Sequence, residues 1–86
     1  VNMYWSVKNI SYKKHLNLEI EFFDSLKGDV IFNEANLYGV FEALKNDDEF
    51  KKNHIGNGNT IVWDCGLDVA PDRLHYDIKN NGVCIL

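Results

Sequence analysis

The sequence predicts an α+β fold, a small curled antiparallel sheet carrying two short helical segments. Three stretches predict it. Leu16, Leu18, Ile20 and Phe22 alternate with Asn17, Glu19 and Glu21, the period of a strand with one face on a core and one in water. Gly56-Asn57-Gly58-Asn59 supplies the residues that a tight turn between two strands needs. Pro71 and Asp72, followed by Leu74 and Ile78 and then by Asn80-Asn81-Gly82, read as a short amphipathic helix with its own start and stop.

Taken in order, residues 4–32 read as a meander. Val7, Ile10 and Tyr12 are the apolar points of a first strand, and the uneven step from Val7 to Ile10 calls for a bulge near Lys8-Asn9. Lys13-Lys14-His15 is the connection to the alternating strand. Asp24-Ser25 turns the chain again, and Val30 and Phe32 mark the return strand. A helical segment at about 39–52 follows. Val40, Phe41 and Leu44 share one helical face, and Asn46 or Asp47 can cap a second short turn whose anchor on the sheet is Phe50. Asp48 and Glu49 suit the positive end of that turn, Lys51 and Lys52 the negative one. A hairpin at about 54–69 carries Ile61 and Trp63 inward. The last helix is expected at about 71–79. Residues 1–79 then form one domain, and 80–86, ending in Val83-Cys84-Ile85-Leu86, are expected to trail as an apolar tail, an added edge strand being the alternative.

Size and charge bound the function. A chain of 86 residues buries roughly 60–65% of its unfolded surface, enough for a modest core. Thirteen acids against nine bases leave a net charge of −4, which repels phosphate at long range. Two cysteines, Cys65 and Cys84, fit a cytosolic chain with reduced structural thiols rather than a disulfide framework. No apolar run approaches the ~20 residues of a membrane span, and no charged-then-apolar leader precedes the first strand.

No constellation in the sequence names a reaction. Asp64, Asp68 and Asp72 recur at four-residue spacing but lack the alternating oxygen ligands of a calcium loop, and turn and first-helix-turn chemistry account for Asp64 and Asp72. Asp68 alone has no local reason to be acidic; capping the Pro71 helix or pairing with Arg73 would supply one. His15, His54 and His75 are far apart, and neither cysteine sits at metal-ligand spacing, so no metal, cofactor or catalytic residue is expected. Lys8, Lys13, Lys14 and Lys27 could form a basic sheet edge for nucleic acid beside Tyr4 and Trp5; protection of an edge strand against self-pairing is the favoured account of them. Tyr4, Trp5, Tyr38 and Tyr76 are more aromatics than so small a core can hold, so some should be exposed and, with Asp68, form an interaction surface.

Met3-Tyr4-Trp5-Ser6-Val7-Lys8, Gly39-Val40-Phe41-Glu42-Ala43-Leu44-Lys45, Thr60-Ile61-Val62-Trp63 and Gly66-Leu67-Asp68-Val69-Ala70-Pro71 with Leu74, in that order and spacing, resemble the small bacterial domain-of-unknown-function family 2442. The resemblance extends up to Ile78. It implies a compact α+β fold with a helical segment inserted before the last strands, and it implies no established activity. Members stand alone or beside a helix-turn-helix module and often have a small neighbouring gene, as toxin–antitoxin pairs do. Ser25 stands where the family usually has glycine, and Cys65 is unusual in the turn before Gly66. The expectation is a non-enzymatic, intracellular interaction or regulatory module, the antitoxin-like half of a two-gene system, whose partner is a neighbouring gene's product or a second copy of itself. A nucleic-acid-binding accessory domain using the lysine edge is the alternative.

Overall fold

A computed structural model describes residues 3–57, 59–64, 66 and 68–86, with Val40 and Asp68 described through their backbones alone. The meander forms as three strands, β1 (Val7–Lys14), β2 (Asn17–Phe22) and β3 (Lys27–Ile31). Val7 pairs with Phe22 and Asn9 with Glu21, so the chain bulges at Lys8, where the uneven apolar spacing asks for it. Leu16 belongs to the β1–β2 turn rather than to β2. Its φ of 62° folds the backbone left-handed while its side chain stays in the core.

Between residues 34 and 50 the expected helical face is broken into pieces. Glu34–Asn36 and Gly39–Lys45 wind as 3-10 turns, and α1 (Asp47–Phe50) is a single α-helical turn. Asn33 caps the first piece. Asn46 caps α1 by accepting from the amides of Asp48 and Glu49 at 2.9 and 3.3 Å. Phe50, fully buried, is the anchor.

Three short strands form a second sheet, β4 (Asn53–Ile55), β5 (Ile61–Trp63) and β6 (Asp68–Val69), all antiparallel. Gly56 N–H donates to Thr60 O across the β4–β5 turn. The Thr60 hydroxyl donates to the carbonyl of Val69, tying β5 to β6. Helix α2 (Pro71–Asn81) starts on proline and ends on Gly82, whose φ of 78° suits a residue without a Cβ.

The segment 80–86 is not a trailing tail. Asn80 and Asn81 extend α2, and β7 (Val83–Ile85) lies parallel to β3, in the order β1-β2-β3-β7. The reason is burial: Cys84, facing inward beside Val30, has no exposed surface. The two sheets meet over one core. Phe32, Phe50 and Trp63 pack edge to face or tilted at 5.6–6.2 Å between ring centres, and Trp63 Nε1 donates to Phe50 O at 2.9 Å. Helix α2 covers the rest of the inner sheet face through Leu74 and Ile78. Among the described residues, no helix is long and apolar enough to cross a membrane.

Candidate functional site

After β3 the chain leaves the sheet beside β7, with Asn33 N–H donating to Leu86 O at 2.7 Å. The 3-10 turns that follow carry Leu37, which is buried, and Phe41, which is exposed. Gly39 permits this path through a φ of 62°, where a side chain would be strained although it would meet nothing. Across from them lie Ile85 and Leu86 on one side and Val69, Ala70 and Arg73 on the other. Together with Phe32 at the floor these residues enclose a groove of about 420 Å³. Among the described residues, Asn36 and Arg73 are the polar side chains of its lining. Phe41 and Ile85 keep 38% and 61% of their surface open, so the groove continues into an apolar rim. Arg73 is loosely held: its Nε is 3.8 Å from Asp77 and its side chain is 65% exposed.

A second hollow lies along α2, lined by Tyr4, Asp72, His75, Tyr76, Lys79 and Asn80. His75 is buried beneath it, with its ring edge-on to Tyr4 and Phe22 at 4.9 and 4.8 Å. Its Nε2 donates to Asp24 in the β2–β3 turn at 2.7 Å. Burial opposes ionisation of Asp24, but the hydrogen bonds from His75 and the Leu26 amide outweigh it and hold the carboxyl below its usual range.

The densest polar cluster is elsewhere. Asp47, at the start of α1, accepts from Tyr12 Oη at 2.9 Å, His15 Nδ1 at 3.0 Å and Lys51 Nζ at 3.3 Å. Burial would raise the Asp47 pKa; the three donors bring it below the ordinary value. Burial, followed by the hydrogen bond to Asp47, raises Tyr12. A carboxylate engaged by three donors is a poor base and a phenol so held a poor nucleophile. The cluster clasps the β1–β2 hairpin to α1.

The residues named from the sequence are dispersed. Tyr4 and Tyr76 share the α2 hollow; Trp5 is half-buried; Tyr38 is exposed and lines neither hollow. The Asp68 side chain and Cys65 lie outside the described residues. Lys8, Lys13 and Lys14 lie on β1 and Lys27 on β3, and all but Lys14 have an acid of β2 or β3 close by. Lys13 pairs with Asp29 at 3.2 Å. The Asn9 amide and, less strongly, Lys27 and Lys8 lower the Glu21 pKa. Asp64 sits 3.7 Å from His54 on the surface. Cys84 is inert, its thiol donating to Asp77 at 3.3 Å and pushed up to about 12 by burial and that carboxylate. Among the described residues no three His, Cys, Asp or Glu gather as a metal-binding set. The groove itself was missed by sequence reasoning. Its only signal was the uncovered apolar run at 83–86.

The family model described as "Protein of unknown function (DUF2442)" matches residues 7–80. Comparison with curated proteins gave no match, and comparison with solved structures gave none.

Proposed function

We propose that this chain, which belongs to the DUF2442 family, works as a non-enzymatic, cytoplasmic protein-interaction module. The observation that carries the reading is the apolar groove between the 3-10 turns, β7 and the start of α2. Its floor is Phe32, its rim Phe41 and Ile85, and among the described residues its charged lining residue is Arg73. An open apolar hollow with an aromatic rim and a guanidinium is the composition of an interaction hot spot. We take the partner to be the product of a neighbouring gene, so that the chain acts as the neutralising or regulatory half of a two-gene system. The nucleic-acid alternative is the weaker one, because Lys13 is paired with Asp29, and Lys8 and Lys27 act on Glu21, on a chain of net charge −4.

The test is co-expression with the neighbouring gene's product followed by size-exclusion chromatography and titration calorimetry. The wild-type chain should form a complex. Phe41→Asp should weaken it by at least about tenfold, the loss of roughly 1.4 kcal/mol, while circular dichroism shows the fold kept. A neighbour that never co-elutes, or that binds Phe41→Asp undiminished, removes the proposal.

A further inference from the structure

We infer that the free edge of β7 and the groove at its end accept an extended, acidic segment of a partner protein as an added β-strand. This rests on the groove being the interaction site proposed above, and names what occupies it. In the order β1-β2-β3-β7, β7 is an edge. Leu86 N–H donates to Ile31 O at 2.8 Å and Leu86 O accepts from Asn33 at 2.7 Å. Main-chain groups alternate in direction along a strand, so those of Leu86 and Cys84 face β3 and those of Ile85 face away. Among the described residues, none of the backbone hydrogen bonds made outside the helices and strand ladders engages the amide or carbonyl of Ile85, and the alternation turns both away from β3. A main-chain donor and acceptor left open beside an apolar hollow are met by another main chain: its backbone pairs with Ile85, and its alternate side chains enter the groove.

The other edge of the sheet is built differently. β1 carries Lys8, Lys13 and Lys14 along its length, and the Val7 amide is already taken by Asn59 O at 2.8 Å. That is how an edge is closed to pairing. β7 carries no charged residue. Arg73 completes the recognition. It lines the groove, is mostly exposed and has a long contact to Asp77, so an acidic residue in the incoming segment complements it. A second copy suits the edge less well. Two β7 strands would meet along three residues, and β7 carries no acid to meet Arg73.

The probe is a library of random heptapeptides displayed on phage and selected on the full chain, whose sedimentation is measured first. Enriched peptides should alternate apolar and polar residues and include an acid. N-methylation of alternate backbone amides in the tightest peptide should weaken binding at least about tenfold, since it deletes ladder bonds without touching side chains. Hydrogen exchange at the Ile85 amide should slow at least about tenfold on binding. Arg73→Glu should turn the selection from acidic to basic peptides. Enriched peptides that bind as helices, leave Ile85 exchange unchanged or tolerate N-methylation overturn strand addition; if Phe41→Asp still abolishes them, the groove remains the interaction site. Binding indifferent to Phe41→Asp removes the groove as well. A selection that enriches nothing overturns strand addition and leaves the co-expression experiment to decide the groove. Self-association abolished by Ile85→Lys makes a second copy the occupant and overturns the partner segment.

Discussion

Asp24 and Ser25 are neighbours in the β2–β3 turn and act in opposite directions. Asp24 accepts from the buried His75, so Asp24→Ala strands a buried donor and should cost about 1–3 kcal/mol at neutral pH by urea denaturation. The sign of its pH dependence follows from the lowered carboxyl pKa. The Asp24 contribution is present above the unfolded carboxylate value of about 4 and is lost as pH falls through the lower folded value, so wild type and variant should converge in acid. Ser25 holds a φ of 75°, a conformation unfavourable for a side chain. Ser25→Gly should therefore stabilise by about 0.5–1 kcal/mol and raise the thermal midpoint by roughly 2–8 °C, read by calorimetry. Both positions were legible as a turn from Asp24-Ser25. The His75 pairing was not, because nothing local connects residues 51 positions apart.

At the scale of elements, α2 and β3 are fitted through a missing side chain. A Cβ on Gly28 would lie 2.4 Å from Ile78 Cγ2 and 2.9 Å from the Gly82 carbonyl. Gly28→Ala should accordingly push the helix off the sheet and destabilise by about 1–3 kcal/mol, measured by chemical denaturation. The elements with local signals were legible: the alternation of β2, the bulge in β1, the Asn46 cap of α1, and Pro71 and Gly82 at the ends of α2. β7 was expected as a loose tail because its pairing is parallel and distant. Four apolar residues after a helix-stopping glycine look alike whether they dock or dangle. The groove was illegible for the same reason. Leu37 and Phe41 belong to one stretch and Ile85 and Leu86 to another, and only the β3–β7 pairing brings them opposite each other.

For the molecule as a whole, Phe50 is the joint. It touches Phe32 of the first sheet's core and Trp63 of the second sheet, and its own carbonyl receives the Trp63 indole. Phe50→Ala should cost about 3–5 kcal/mol, a large share of the ~5–15 kcal/mol available to such a domain. Tryptophan fluorescence and far-ultraviolet circular dichroism should lose their signals together rather than in two steps. Separate transitions would mean that the two sheets fold independently.

The parallel pairing of β7 with β3 also has a consequence during synthesis. β3 at 29–31 meets its last neighbour at 83–85, about fifty residues later in the chain. While a ribosome is still making the intervening segment, the β1–β2–β3 meander can form but its β3 flank, with Val30 and Ile31, has nothing beside it. The nascent chain therefore waits with an open apolar border until residues 83–85 clear the exit tunnel. Slowing translation between the codons for residues 31 and 83 should prolong that wait and increase the fraction lost to aggregation.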